Sequence, residues 1–202
     1  MIYCFMGGTC SGKNTLMTEF LLRDFNCHAV VRDTTRTRRV GEVDGVDYHF
    51  VSVDDFRGKS LDAYVEWERF SGDRYYGTRK EVLDATEGDP CLTLTPQGLI
   101  DLVYYASDKD ICVIYLQVSL GEAIKRYVDR VGVNQFAVED KMEMCDRLAR
   151  DEGMFKGFDL LCKSLGQTHK GKFFFIPISA SHDPDYLFDY VKKFLEDNNE
   201  GF

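Results

Sequence analysis

The chain has 202 residues, of which 44% are hydrophobic and 29% are charged, and its formal net charge is −9. This is enough apolar material for one domain with a buried core, and only 4 prolines, with no Pro-rich or Gly/Ser-rich run, argue against long disordered linkers. A strongly acidic chain lacks the basic footprint that sequence-independent nucleic-acid binding requires, so we expect no nucleic-acid partner.

The cysteines and apolar runs indicate the compartment. Seven cysteines are scattered without a CxxC pair, which is typical of free thiols in a reducing environment, and the histidines lack the spacing of zinc ligands. The apolar run at residues 1–6 is too short for a signal peptide, and the run at 173–178 is far below a membrane span. We therefore expect a cytoplasmic protein without a membrane partner, either a monomer or a homodimer.

The first third of the chain begins with a short apolar run at residues 2–6, which ends at a glycine pair and predicts a buried strand. Apolar residues at helical spacing predict a helix over 13–24, and 28–31 predict a second strand. Residues 33–53 are polar and rich in arginine, and we interpret them as loops and short strands that face a substrate.

Further strands alternate with helices in the remainder. The apolar runs predict strands, and the helical spacing of apolar residues predicts helices. The predicted strands are 91–95, 111–116 and 173–178, and the predicted helices are 97–107, 120–130, 138–155 and 183–197. This alternation predicts an α/β fold with a mostly parallel sheet flanked by helices.

A glycine-rich segment connects the first strand to the first helix. Its glycines allow backbone N–H groups to converge on phosphate oxygens, the helix N-terminus adds partial positive charge, and Lys13 adds a cation. The succession of a strand, a glycine-rich loop, a lysine and a helix favours an ATP-binding phosphate loop over an ordinary turn. The segment is Gly7-Gly8-Thr9-Cys10-Ser11-Gly12-Lys13-Asn14-Thr15.

The residue after the lysine differs from the usual motif, in which a hydroxyl side chain contacts Mg²⁺. Asn14 stands there, and its side-chain oxygen can ligate a hard cation directly or through water. We therefore predict Mg²⁺ as cofactor with Asn14 as a ligand. Cys10 is interpreted as a small neutral filler in the loop.

Three later segments are suited to a nucleotide acceptor. Arg36 and Arg39 can hold a monophosphate with forked hydrogen bonds, Tyr48 and Tyr76 can add hydroxyl donors, and Glu66 can accept from guanine N–H groups. Concentrated arginines in an acidic chain favour a bound anion over a solvated loop. The segments are Thr34-Thr35-Arg36-Thr37-Arg38-Arg39 with 41–50, Glu66-Trp67-Glu68-Arg69-Phe70, and Tyr75-Tyr76-Gly77-Thr78.

Together with the phosphate loop, these segments resemble the guanylate kinase family in order and separation, most closely over residues 1–100. The resemblance implies a P-loop kinase fold and transfer of the terminal phosphate of ATP to a nucleoside monophosphate, GMP or dGMP first. It places the five acceptor residues in the family's phosphate and guanine sites, and Thr78 near the base oxygen. Trp67 and Phe70 are interpreted as core residues.

Two departures concern the base. Thr95 stands where the family usually has an Asp that contacts guanine, with Thr93 in place of a second acidic residue, and Arg32-Asp33 replaces small hydroxyl residues. Loss of a carboxylate acceptor would lower discrimination for guanine by about 1–3 kcal/mol. Another nucleoside monophosphate or a modified base therefore stays open as the acceptor.

The same resemblance implies a lid, on the basis of three arginines in the later part of the chain. Arg126 and Arg130 lie four apart on one predicted helix face, and Arg147 follows on the next helix. With Lys13 they form the predicted catalytic set, although Lys141 competes with Arg147 for the second lid position. The alternative is a solvated helix face on which Glu139, Asp140 and Glu143 pair with these cations.

The resemblance divides one guanylate-kinase-like domain, 1–202, into a core (1–31, 90–120 and 156–202), a monophosphate-binding subdomain (32–89) and a lid region (121–155). Two other functions remain open at this point. A non-catalytic binding module would hold a peptide in the same cleft, but the intact Gly12-Lys13 argues against it. A GTPase switch lacks support because no Asn-Lys-x-Asp run is present.

Overall fold

A computed structural model describes residues 1–24, 26–39, 41–59, 61–132 and 138–199 of the chain. Five parallel strands form the main sheet in the spatial order β2-β7-β1-β8-β9. Strand β1 lies at its centre and pairs with β7 on one side and β8 on the other. These strands are β1 (Ile2–Met6), β2 (Cys27–Ala29), β7 (Asp89–Thr93), β8 (Ile111–Gln117) and β9 (Phe173–Ser179).

The central strands are buried on both faces because helices cover the sheet from both sides. Alternate residues of β1 separate into two cores: Cys4 packs with the first group of helices, whereas Phe5 packs with the second. The first group is α4 (Pro96–Tyr105) and α7 (Phe158–Thr168); the second is α1 (Lys13–Arg23) and α8 (Pro184–Asn199). The α/β class with a parallel sheet and flanking helices is confirmed.

A second, smaller sheet lies between β2 and β7 in the chain. Its order is β4-β3-β6-β5, with β3 parallel to β4 and antiparallel to β6. Strand β5 packs against α4 and so connects this sheet to the main one. The strands are β3 (Asp33–Thr34), β4 (His49–Phe50), β5 (Tyr64–Ser71) and β6 (Arg74–Arg79), and the short helices α2 (Val53–Gly58) and α3 (Lys80–Ala85) flank them.

Two long helices, α5 (Leu120–Val131) and α6 (Val138–Phe155), carry the predicted lid arginines. Ser119 caps α5, since its hydroxyl accepts from the backbone N–H of Glu122 at 3.2 Å. The predicted strands and helices lie within a few residues of the observed ones. Strands β5 and β6 and helices α2, α3 and α7 were not predicted, and the division into core, subdomain and lid remains a prediction.

The interpretation of Trp67 as a core residue is wrong. Its side chain is 39% exposed, while its neighbour Glu66 is 2% exposed. Successive side chains of a strand point to opposite faces, and on β5 the carboxylate takes the inward position against α4. None of the helices in the described part of the chain combines the length and apolar composition that a membrane span requires.

A buried carboxylate anchors the small sheet. Asp33 is fully buried on β3 and accepts from Lys59 at 2.9 Å, from Arg79 at 3.1 Å and from the Tyr64 hydroxyl at 2.8 Å. Because these partners come from the α2 end, β6 and β5, one side chain ties together most of the subdomain. The neighbouring Arg32 makes a separate ion pair, described below.

We predict that Asp33→Ala lowers the free energy of unfolding by about 1–3 kcal/mol, because it leaves two partly exposed cations and the buried Tyr64 hydroxyl without their acceptor. Asp73→Ala is the matched control: Asp73 forms an ion pair with Arg57 in which both side chains are more than half exposed, so the change should be below about 1 kcal/mol. Urea unfolding measures both. Equal effects of the two substitutions would contradict the anchoring role.

Candidate active site

The phosphate loop turns at the carboxyl end of β1, where its first glycine approaches β8 closely. Gly7 has φ +148°, and a Cβ there would lie 2.6 Å from Ser11 Oγ and 2.7 Å from the Leu116 carbonyl oxygen. Gly12 has φ +86° and precedes the first turn of α1. Both positions therefore require glycine, which explains the spacing on which the prediction rested.

Lys13 lies against the loop, and its ammonium donates to the Gly8 carbonyl oxygen at 3.2 Å. Burial lowers the pKa of Lys13, the carboxylate of Asp151 opposes this, and the charges of Arg130 and Arg147 lower it further. The two arginines are thus close enough to act on the Lys13 charge. Three of the four predicted catalytic residues therefore interact electrostatically: Lys13, Arg130 and Arg147.

Arg126, the fourth predicted catalytic residue, braces the loop from outside. Its guanidinium donates to the Ala180 carbonyl oxygen at 2.7 Å, to the Cys10 carbonyl oxygen at 3.3 Å and to Glu122 at 2.8 Å. Cys10 has φ +59°, a left-handed conformation that disfavours side chains other than glycine by about 1–2 kcal/mol. Arg126 therefore holds the loop at its strained residue and links it to the segment after β9.

Asp151 is a site residue that sequence reasoning missed. Its Oδ2 accepts from the backbone N–H of Thr9 at 2.5 Å, although the two residues are 142 positions apart. One of the loop amides expected to bind phosphate is therefore hydrogen-bonded to a carboxylate. Asn14 and Thr15 lie on the exposed first turn of α1.

A cavity of about 430 Å³ lies between the small sheet and the lid helices, and basic side chains line it from both sides. Arg36, Arg39 and Arg74 belong to the small-sheet side, and Arg130 and Arg147 to α5 and α6. The predicted acceptor and lid arginines therefore face one another across one space. Such a concentration of positive charge is complementary to phosphate groups.

Carboxylates hold two of these arginines in place. Arg36 forms a bidentate pair with Glu42 (Nη2–Oε1 2.7 Å, Nη1–Oε2 3.0 Å), and Arg147 pairs with Glu143 at 2.5 Å. Hydrogen bonds from these arginines lower the pKa of Glu42 and of Glu143. The predicted acidic partner Glu143 is therefore present, whereas the side chains of Glu139 and Asp140 lie outside those described.

The predicted tyrosines border the acceptor side. Tyr48 and Tyr76 meet edge to face with ring centroids 5.9 Å apart, and the Arg36 guanidinium lies 5.4 Å from the Tyr48 ring centroid. Arg36 also interacts with the Tyr76 side chain. Arg39 is exposed, and its backbone N–H donates to Glu42 at 2.7 Å.

Two of the predicted base residues, Glu66 and Thr78, are buried and in contact, and Thr95 lies at the start of α4. Glu66 accepts from the Thr78 hydroxyl at 2.5 Å and from Arg32 through Nε (3.1 Å) and Nη2 (2.8 and 2.9 Å). Thr95 caps α4, because its hydroxyl accepts from the backbone N–H of Gly98 at 3.2 Å. The pairing of Arg32 with Glu66 could not be read from the sequence, since the residues are 34 positions apart.

This combination of a parallel sheet, a lysine-bearing phosphate loop and an opposed arginine cavity defines a P-loop kinase. The family model described as guanylate kinase matches residues 2–149. The chain therefore belongs to the guanylate kinase family and is a nucleoside monophosphate kinase by class.

Several relatives support the assignment. The chain is 38% identical over 136 residues to a guanylate kinase of Maricaulis maris, covering 65% of this chain and 62% of that one. It is 34% identical over 146 residues to a guanylate kinase of Salinibacter ruber, covering 70% and 74%. A crystal structure of guanylate kinase from Anaplasma phagocytophilum matches with a TM-score of 0.59 at 18% identity, over 97% of this chain and 84% of that one, and supports the fold.

Proposed function

We propose that the protein transfers the terminal phosphoryl group of ATP to a nucleoside monophosphate, with GMP or dGMP as the first acceptor. The observation that carries this proposal is the 430 Å³ cavity in which Arg36 and Arg39 face Arg130 and Arg147, the two arginines whose charges lower the pKa of Lys13. Two anions must approach each other for the transfer, and cations on both sides offset their repulsion.

In this proposal Lys13 and the amides of residues 7–15 hold the ATP phosphates. Arg36, Arg39, Tyr48 and Tyr76 hold the acceptor phosphate, while Glu66, Thr78 and Thr95 face the base. Arg130 and Arg147 neutralise charge on the migrating group, and Arg126 fixes the loop that binds the donor. A monophosphate oxygen is already an anionic nucleophile, so no general base is needed. Lys141 is exposed and is absent from the cavity lining among the described residues, which favours Arg147 as the second lid cation.

Mg²⁺ fits the residues present. It prefers oxygen ligands, keeps several waters and is commonly held by substrate phosphates with one or two protein oxygens. The exposed amide oxygen of Asn14 at the start of α1 would provide such a ligand. When bound, the ion would shield the β- and γ-phosphate charges. The seven free cysteines favour a reducing compartment such as the cytoplasm.

Two alternatives make different predictions. A non-catalytic module would bind a peptide in the cleft without ATP, which the well-formed phosphate loop disfavours. A kinase for a different nucleoside monophosphate would keep the whole phosphate machinery and change only the base end.

The deciding experiment is an ADP-release assay with ATP, Mg²⁺ and a panel of ribo- and deoxynucleoside monophosphates. We expect activity with GMP or dGMP, and a loss of at least about 10²–10³-fold in Lys13→Met, because this substitution removes a cation that stabilises transferring charge. Circular dichroism should show the variant folded. ATP binding without transfer to any acceptor would contradict the proposal.

Arg39→Ala should raise the acceptor KM by about 10- to 100-fold with a smaller change in kcat, because a charge-assisted contact to the acceptor phosphate is lost. Arg38→Ala is the matched control, since Arg38 is exposed and is not among the residues that line the cavity. Its KM should stay within about twofold of the wild type. Steady-state kinetics with varied acceptor separates the two variants; a similar KM increase in both would refute a specific role for Arg39.

Asp151→Ala should tighten ATP binding by about three- to tenfold, because the carboxylate no longer competes for the Thr9 amide or repels phosphate. Glu152→Ala removes the same charge from an exposed neighbouring position and should have little effect. Calorimetric titration of ATP measures both affinities. Weaker ATP binding by the Asp151 variant would instead indicate that this carboxylate supports the bound nucleotide.

A further inference from the structure

One cation that lines the 430 Å³ cavity has no role in the proposed function. Arg74 lies on the small-sheet side of that cavity with Arg36 and Arg39, opposite Arg130 and Arg147. It is the first residue of β6 and directly precedes the Tyr-Tyr-Gly-Thr segment on which the acceptor prediction rested. No motif marks this position, and its place in the cavity is what points to a function.

The side chain of Arg74 shares a face of β6 with predicted acceptor residues. Because successive side chains of a strand alternate between its faces, Arg74, Tyr76 and Thr78 lie on the same side. The intervening Tyr75 is buried on the other side, where its ring stacks on Phe56 with centroids 5.3 Å apart. Arg74 thus extends the row of predicted acceptor side chains toward the lid helices.

Most hydrogen-bond donors of Arg36 are already committed within the protein. Its Nη1 donates to the Thr37 carbonyl oxygen at 2.8 Å and to Glu42 Oε2 at 3.0 Å, and its Nη2 donates to Glu42 Oε1 at 2.7 Å. It also interacts with the Tyr76 side chain. These contacts use most of the five N–H groups of a guanidinium. Since a monophosphate carries about 1.5–2 negative charges at neutral pH, a further cation on this side would strengthen its binding.

Arg74, by contrast, is held loosely. Its side chain is 51% exposed, and its ionic partner among the described residues is Glu143, with Nη1 3.6 Å from Oε1. The same carboxylate oxygen accepts from Arg147 through Nη2 at 2.5 Å and through Nε at 3.1 Å. Glu143 therefore lies between a cation of the small sheet and a cation of α6, and its contact with Arg74 is the longer one.

We propose that Arg74 is a third cation for the acceptor phosphate, which Glu143 holds in the empty protein and which turns to the phosphate when the acceptor binds. The guanidinium exchanges a long ion pair with one carboxylate for a charge-assisted hydrogen bond to a phosphate oxygen. Arg147 stays with Glu143, because its contacts are the shorter ones. This inference rests on the proposed function and adds a residue to its acceptor site.

The first test is a calorimetric titration, without ATP, of the monophosphate that is most active in the acceptor panel. Arg74→Gln should weaken its binding by about 5- to 20-fold, because a half-exposed charge-assisted contact is lost. Arg69→Gln is the matched control: Arg69 lies on β5 of the same hairpin, donates through Nε to the Gly72 carbonyl oxygen at 2.5 Å and is not among the residues that line the cavity. Its affinity should stay within about twofold of the wild type. Equal affinities of Arg74→Gln and the wild type would overturn the inference.

The corresponding nucleoside tests whether the contact is made to the phosphate. Because a nucleoside has no phosphate, its inhibition constant should change by less than about twofold in Arg74→Gln. Arg74→Lys keeps the charge and should restore monophosphate affinity to within about threefold of the wild type. An equal loss of affinity for nucleoside and monophosphate would indicate a distorted site and refute a phosphate contact.

The role of Glu143 separates two ways in which Arg74 could act. Glu143→Gln removes the competing charge and should tighten monophosphate binding by about two- to fivefold, and Arg74→Gln should still weaken binding in that background. If Arg74 served only to hold α6 through Glu143, then Glu143→Gln would weaken binding as much as Arg74→Gln, and the double variant would lose no more. That result would overturn the inference.

Binding and transfer are measured separately, so the two proposals can fail separately. A wild type that binds the monophosphate but transfers no phosphate would contradict the proposed function and leave the Arg74 comparison to be decided by affinity. A wild type that transfers phosphate with no loss of acceptor affinity in Arg74→Gln would contradict only the role of Arg74. Thermal melting of every variant confirms that the differences do not come from unfolding.

Discussion

Electrostatic balance among cations is the constraint on which this site depends. Five cations lie close together in a protein with a net charge of −9: Lys13, Arg36, Arg39, Arg130 and Arg147. Like charges at this density repel, and burial further disfavours the charged form of Lys13. Carboxylates offset the charge of three of these cations: Glu42 for Arg36, Glu143 for Arg147 and Asp151 for Lys13.

Three carboxylates contact the phosphate loop or the cations of this region. Glu42 forms an ion pair with Arg36, and Glu143 forms one with Arg147. Asp151 accepts a hydrogen bond from the phosphate loop, and its charge raises the pKa of Lys13. Each contact orients a cation before substrate arrives, which lowers the entropy lost on binding. Helix α6 carries both Arg147 and Asp151, so one element contributes to the cavity and to the phosphate loop.

The charges of Arg32 and Asp33 differ from those of the cavity, because each has a partner of opposite charge within the fold. Arg32 and Asp33 are adjacent on the chain but have different partners. Arg32 pairs with Glu66. Asp33 accepts hydrogen bonds from Lys59, Arg79 and Tyr64. The Arg32–Glu66 pair joins the segment before β3 to β5, whereas Asp33 joins β3 to β5, β6 and the end of α2.

The strands of the main sheet, most of the long helices and the phosphate loop were predictable, because they depend on local patterns: apolar runs, helical spacing, and glycines where Gly7 and Gly12 need positive φ. The sequence also pointed to four arginines that the structure brings to one cavity, Arg36, Arg39, Arg130 and Arg147, whose roles stay a prediction. Four features became visible only in the folded chain: Arg32 pairs with Glu66, Asp151 accepts from Thr9, Arg126 donates to Cys10, and Trp67 faces outward. The ion pair and hydrogen bonds join residues 34 to 142 positions apart. No periodicity encodes such contacts, since they arise only when separate elements pack together.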